Sequence, residues 1–335
     1  MDVNKLLEQF AVGENDFSGV VLSGADLSRA NLQGVDLWEA DLSEANLSEA
    51  DLRGVDLRWA NLEAANLENS DLRSADLRGT NLTQAKLQGA ILEGAIYDET
   101  TQFSTDFDLV AVRLYLIAPQ TSLQDANLSS VDLSGVDLSE ANLRGANLTD
   151  ANLFGADLGR SNLTEAILSN AELTNANLAT ANLSKADLRQ ANLSSANLQQ
   201  SNLFGTDLRL ISYQNANFQE ALCTDATRFS ETFDWVEAGV YRIVPNATLQ
   251  GANLRQVNLV GVNLQGANLS GANLTRANLR GANLSKANLS NADLTDANLR
   301  SANLAGANLS ETILTGAILH DTDLTGTVLI AIDEG

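Results

Sequence analysis

Residues 25–49 read Ala25-Asp26-Leu27-Ser28-Arg29, Ala30-Asn31-Leu32-Gln33-Gly34, Val35-Asp36-Leu37-Trp38-Glu39, Ala40-Asp41-Leu42-Ser43-Glu44 and Ala45-Asn46-Leu47-Ser48-Glu49. A small residue, an Asp or Asn, a Leu and two more polar residues recur with a strict period of five. With the central Leu as marker, one run extends from Phe17 through Leu27 and Leu47 to Tyr97, 17 repeats. A second goes from Leu123 through Leu128 to Cys223, 21 repeats, and a third from Leu249 through Leu254 to Leu329, 17 repeats. Together they take up 275 of the 335 residues. On an α-helix the markers would step about 140° round the axis each time and form no stripe. In an extended chain the marker and the small residue two before it point the same way, inward, while the Asp or Asn between them points out. The last two residues turn the chain, so each repeat is one short side of a polygonal coil.

Ala25-Asp26-Leu27-Ser28-Arg29, Ala45-Asn46-Leu47-Ser48-Glu49 and their copies resemble the pentapeptide-repeat family, and its cyanobacterial members in particular. The resemblance implies an all-β solenoid, a right-handed quadrilateral β-helix with four repeats to a coil. Residues 20 apart then stack at about 4.8 Å, the spacing of neighbouring strands. Before the first coil, Asp2 to Phe10 is expected to form a short helix with Asp2 as N-cap and Val3, Leu6, Leu7 and Phe10 on one side, a lid on the exposed edge. Helical caps of this kind also occur in cyanobacterial members. At the other end Val328, Leu329, Ile330 and Ile332 are unusually apolar ahead of Asp333-Glu334-Gly335. They either close the last coil or pair two molecules, so the chain is expected to be a monomer or a dimer through its C-terminal edge.

Two interruptions repeat each other. The first, Thr101-Gln102-Phe103-Ser104-Thr105-Asp106-Phe107-Asp108, continues through Val110, Tyr115 and Ile117 to Pro119. The second, Thr227-Arg228-Phe229-Ser230-Glu231-Thr232-Phe233-Asp234, continues through Val236, Tyr241 and Ile243 to Pro245, every pair 126 residues apart. A longer unit has been duplicated. Each interruption separates its flanking markers by 26 residues, five repeats plus one, with Phe107, Val112 and Ile117, or Phe233, Ala238 and Ile243, still on the marker phase. A distorted coil with a one-residue bulge near Pro119 or Pro245 fits this spacing; a projecting loop or helix is the alternative. Either way Phe103, Phe107, Tyr115, Phe229, Phe233 and Tyr241 are expected to pack on or beside the coil. The organisation is thus a capping helix over 1–14, coils over 15–99, an interruption over 100–120, coils over 121–225, a second interruption over 226–246 and coils over 247–331.

Composition argues against chemistry and against two classes of ligand. Forty-three Asp and Glu against 20 Lys and Arg give a net charge of −23, which disfavours direct binding to nucleic acid or to an anionic membrane. One Cys, Cys223, excludes an internal disulfide, and one His, His320, leaves little for imidazole catalysis or zinc. Cys223 occupies a marker position and reads as a core residue. The Asp and Asn residues sit where hydrogen bonding to turn backbone explains them. No phosphate loop or dinucleotide fingerprint occurs, so no catalytic residue, cofactor or metal is expected. The N-terminus lacks the basic and apolar regions of a signal peptide, and no stretch has the length of a membrane span, so a cytoplasmic protein is expected.

One surface feature goes beyond the repeat. At intervals of 20, Trp38, Arg58 and Arg78 stack on one side, Trp59 lies at the next position, and Arg53 and Arg73 run along the adjoining side, with the carboxylates Asp16, Asp36, Asp56 and Asp76 beside them. Structurally, Arg there offsets acid repulsion and stacks on Trp38. Functionally, Trp and Arg on a flat face are the residue types of a protein interface. Charge falls from −13 over residues 1–120 to −8 over 121–246 and −2 over 247–335. An acidic β-helix is similar to the quinolone-resistance pentapeptide proteins, a resemblance that implies DNA mimicry and binding to DNA gyrase. Those proteins favour Phe as the central residue, whereas Leu dominates here. The expected function is a non-enzymatic, rigid rod that binds or regulates a protein whose identity the sequence does not give; the alternatives are a gyrase-binding DNA mimic and an exported structural rod.

Overall fold

The computed structural model describes residues 2–105, 107–109 and 112–329. Asp106, Val110, Ile330, Ile332 and the Asp333-Glu334-Gly335 tail lie outside the described residues. Two compact units divide the chain, Met1–Asn127 with Val136–Leu143, and Leu128–Gly135 with Arg144–Gly335.

In the first unit the regular coil is built from five hydrogen bonds per repeat, one of them from the residue two after the marker to a carbonyl 19 residues on, as Gly24 does to Ser43 at 2.7 Å. The marker N–H donates to a carbonyl 19 residues on, as Leu22 does to Asp41 at 2.8 Å. The residue before the marker donates backward, as Asp41 does to Val20 at 2.8 Å, and the next small residue closes the turn, as Ala25 does onto Leu22 at 3.0 Å. The fifth comes from the side chain: Asp41 Oδ1 accepts the Ser43 N–H at 3.1 Å, which is why Asp or Asn precedes the marker. Residues 20 apart are therefore parallel bridge partners, Asp16 with Asp36, Asp36 with Asp56 and Asp56 with Asp76, and four repeats close one coil.

Phe17, Leu27 and Leu47 lie in a continuous core with Leu37, Leu52, Leu57 and the small residues Val35, Ala40 and Ala45. The N-terminal helix α1, Val3–Ala11, is capped by Asp2, whose carboxylate accepts the Lys5 N–H at 2.9 Å. Leu6 is fully buried, and Val3, Leu7 and Phe10 pack against the same core, so α1 covers the edge as its sequence pattern indicates. In the second unit the same bonds recur, with Leu128 and Leu254 buried and Leu254 in a core that runs on to Leu309. Further along, Leu324 is 38% and Leu329 63% exposed.

The residue two after the marker adopts a left-handed conformation, which is why Gly is frequent there and why other residues bear a cost. Thr180, β-branched and exposed, sits there at φ 58°. The left-handed cost of about 1–2 kcal/mol exceeds the extra entropy glycine loses, about 0.5–1 kcal/mol. Thr180→Gly is therefore expected to stabilise the second unit by up to about 1 kcal/mol, read as a raised urea midpoint; a lowered midpoint contradicts this reading of the corner.

Both interruptions keep pairing with the coil before them. In the first unit β1, Asn81–Leu82, pairs in parallel with β3, Gln102–Phe103, and β2, Ile96–Tyr97, pairs with β4, Tyr115–Leu116. In the second unit β5, Asp207–Leu208, pairs with β7, Arg228–Phe229, and β6, Leu222–Cys223, pairs with β8, Tyr241–Arg242. Partners are 21 apart in the first pair of each set and 19 apart in the second, instead of 20. The register therefore shifts well upstream of Pro119 and Pro245, not only beside the prolines as the marker spacing suggested. Phe103, not the marker-phase Gln102, stands over the marker Leu82. The physical reason is the local turn: Thr101 N–H closes onto Asp98, one residue later than the regular phase, and Phe107 N–H onto Ser104, two later.

Candidate functional site

The Trp and Arg residues lie in the first unit. Where stacked outward positions are both Asp, neither side chain can donate to the other, whereas an Asn bridges to its neighbour, as Asn66 Nδ2 does to Asn46 Oδ1 at 3.3 Å. At Asp51–Asp71 and Asp56–Asp76 both members carry an Arg two residues on, and each guanidinium folds back onto its own carboxylate. Arg53 donates to Asp51 at 2.8 and 2.6 Å, and its Nε lies 3.8 Å from Asp71. Arg58 donates to Asp56 at 3.0 Å and lies 3.7 Å from Asp76. The Arg53 guanidinium holds Asp51 below the usual carboxylate range, and Arg73 does the same for Asp71. Burial, by contrast, pushes Asp76 up despite its bonds from Arg78.

Arg78 departs from the sequence expectation. It is buried, 7% exposed, with Asp76, and belongs to the internal charge balance rather than to an accessible surface. Trp38 and Trp59 are 39% and 55% exposed. Trp59 occupies a left-handed corner at φ 60°, and its ring lies over Gly79: a Cβ on Gly79 would come within 2.6 Å of the indole. Glycine at position 79 is what lets that ring lie flat. The structure thus brings Trp38, Trp59, Arg53, Arg58 and Arg73 onto the exterior of consecutive coils, with the Arg side chains fixed by their own Asp partners.

Pentapeptide repeats, as a family model, match in eight copies at residues 21–58, 56–94, 121–160, 146–184, 171–209, 246–276, 258–296 and 292–329. The chain belongs to the pentapeptide-repeat family. Its fold is the right-handed quadrilateral β-helix of that family. Among solved structures, this pentapeptide-repeat protein is similar to alr5209 of Nostoc PCC 7120, a pentapeptide repeat protein, at 46% identity over 34% of this chain and 95% of that one, TM-score 0.34. It is also similar to HetL of Nostoc sp. strain PCC 7120, a pentapeptide repeat protein involved in heterocyst differentiation regulation, at 29% identity over 98% and 97% of the two chains, TM-score 0.26. A pentapeptide repeat protein of the Arabidopsis thaliana thylakoid lumen matches at 32% identity over 30% and 66%, TM-score 0.19. No curated protein matches. Membership rests on the repeat itself, not on these superpositions.

Elsewhere in the pentapeptide-repeat chain, the interruption aromatics pack on the coil. Phe103 stacks on Phe107 with centroids 5.0 Å apart and meets Tyr97 edge-on at 5.6 Å, while Tyr115 is half-buried in β4. In the duplicated unit Phe229 stacks on Phe233 at 4.5 Å, Tyr213 and Phe218 meet Phe233 edge-on, and Tyr241 is half-buried in β8. Cys223 is buried, which pushes its thiol up to about 11, and His320 pairs with Asp321 at 3.1 Å. No group of three His, Cys, Asp or Glu among the described residues could hold a metal ion. No described helix is long and apolar enough to cross a membrane.

Sequence reasoning passed over Lys86. It is the one basic residue in the outward position before a marker, its side chain is exposed, and it makes no ion pair among the described residues. Its departure from the motif was the available signal. The duplicate held a second one: Leu87 and Leu92 correspond, 126 residues on, to Tyr213 and Phe218.

Proposed function

We propose that this chain is a non-enzymatic pentapeptide-repeat protein that docks a protein partner on the Trp38–Trp59 face of its first unit. The observation that carries this is the pair of exposed indoles on a backbone held by several hydrogen bonds in each repeat. Such a face loses little freedom on binding, and Trp is the residue type most enriched among interface anchors. The Arg residues add positioned charge around the indoles, since each guanidinium is oriented by its own Asp. Neutralisation of Asp51, Asp56, Asp71 and Asp76 by Arg also breaks the run of uncompensated charge that imitation of duplex DNA requires. A gyrase supercoiling assay with micromolar protein distinguishes that alternative, and no inhibition or protection is expected.

The direct test is affinity purification from the native cell with the wild type and with Trp38→Ala/Trp59→Ala. Proteins recovered by the wild type are expected to be lost from the variant while its unfolding midpoint changes little. Recovery of every partner at wild-type yield would remove this face as the docking site.

A further inference from the structure

The second unit carries a cationic groove on a chain whose net charge is −23. Lys185, Arg189, Arg209 and Arg228, with Asp187 and Asp207 between them, line an open groove of about 490 Å³. It crosses three successive coils, since Asp187 pairs with Asp207 and Asp207 with Arg228. Both carboxylates are already engaged: Asp187 accepts from Arg189 and Asp207 from Arg209, each at 2.6 Å. Arg228 reaches Asp207 only at 4.0 Å, and its guanidinium donates no hydrogen bond among the described residues. Lys185 is held from outside the groove by Glu165 at 3.1 Å, a carboxylate that also lies 3.5 Å from Arg144. Asp225, next to the groove residue Ala226, is taken by Arg242. With these neighbours included, cations still outnumber carboxylates.

The duplication shows that the coil does not require this. Lys185, Arg189, Arg209 and Arg228 correspond, 126 residues back, to Trp59, Glu63, Thr83 and Gln102, with Gly79 at the corner that Gly205 occupies. There the outward positions are Asn61 and Asn81, and Asn81 Nδ2 donates to Asn61 Oδ1 at 3.1 Å, so the stack is satisfied without any Arg. In the second copy Asp187 and Asp207 account for Arg189 and Arg209. Neither accounts for Lys185 or Arg228, whose side chains are 70% and 67% exposed.

We propose that this groove binds an extended, acidic segment of a partner protein. Coils about 4.8 Å apart spread the cations over about 10 Å, more than one phosphate or carboxylate spans, while same-face side chains of an extended peptide recur about every 7 Å. Alternate carboxylates of the segment meet Lys185 and Arg228, and Arg189 and Arg209, fixed by their own Asp partners, add positive potential between them. A nucleic acid, the other polyanion, would extend past the groove onto a chain of its own sign. The Trp38–Trp59 face lies in the other unit and plays no part in this site.

The probe is a rhodamine-labelled peptide, Gly-Glu-Ser-Glu-Ser-Glu-Gly, followed by fluorescence anisotropy with the full chain. Binding is expected at low salt and should weaken at least about tenfold between about 20 and 200 mM NaCl. Lys185→Gln/Arg228→Gln, which leaves both Asp–Arg pairs in place, is expected to weaken it about tenfold or more with an unchanged unfolding midpoint. Arg255→Gln/Arg280→Gln removes two exposed cations elsewhere in the unit and is expected to leave affinity within about twofold. No binding by the wild type at millimolar peptide, undiminished binding by the groove variant, or an equal loss in both variants overturns the proposal. Tighter binding of an oligothymidylate than of the peptide, lost in the groove variant, overturns the protein-segment assignment. Trp38→Ala/Trp59→Ala is expected to bind the peptide as the wild type does, so failure here leaves the docking reading above standing.

Discussion

Leu52→Asp is expected to abolish the cooperative unfolding transition of the first unit at neutral pH, or to lower its stability by about 5 kcal/mol or more. Leu52 is fully buried, between the equally buried markers Leu32 and Leu72 of the adjoining coils. Truncating such a side chain to Ala already costs about 2–5 kcal/mol, because coils held in register by backbone bonds cannot collapse into the space. A carboxylate adds the desolvation of a group with no donor inside the ladder. Since whole domains are stable by only about 5–15 kcal/mol, that is enough to empty the native state. Denaturant titration followed by circular dichroism measures it, with Leu52→Ala as the intermediate case. A change below about 1 kcal/mol for Leu52→Asp would mean that the marker ladder is not the core.

Arg78→Met is expected to cost about 3–5 kcal/mol at pH 7, the usual price of leaving one member of a buried pair behind. The side chains of Arg78 and Asp76 are only 9% and 14% exposed, so water cannot replace the lost guanidinium. Met keeps the apolar stem in place, which isolates the charge. The pH dependence follows from Asp76, whose folded pKa is already above its ordinary 3.8 through burial and rises further without Arg78. A raised acid pKa penalises the fold at every pH above it and the penalty fades as pH falls toward 3.8, so the variant recovers part of its loss on acidification. Adding Asp76→Asn keeps the acceptor for the Arg78-position N–H but removes the charge, and is expected to restore most of the stability at pH 7. A loss independent of pH would show that packing, not charge, holds this position.

The coil was legible because one period fixes everything local. Marker, small residue and intervening Asp or Asn each have a single environment, repeated from Phe17 onward, and the hydrogen bond that the Asp41 carboxylate accepts from the Ser43 N–H explains that third choice. The cap was legible for a similar reason: Asp2 and the spacing of Leu6 and Phe10 form a self-contained helix signal. The interruptions were not. Marker spacing counts one net extra residue between Tyr97 and Leu123, but an offset of 21 followed by one of 19 is invisible to a count that sees only their sum with the final slip. At the candidate site, Trp38 and Trp59 stacked where the 20-residue interval put them, while the burial of Arg78 depended on tertiary cover that no local pattern encodes.

Calorimetric titration of a purified native partner into the wild type and into Trp38→Ala/Trp59→Ala tests the docking claim most directly. Interface anchors contribute about 2 kcal/mol or more each, so the variant is expected to bind at least about 30-fold more weakly with an unchanged unfolding midpoint. Equal affinity for the two proteins would contradict the assignment of this face.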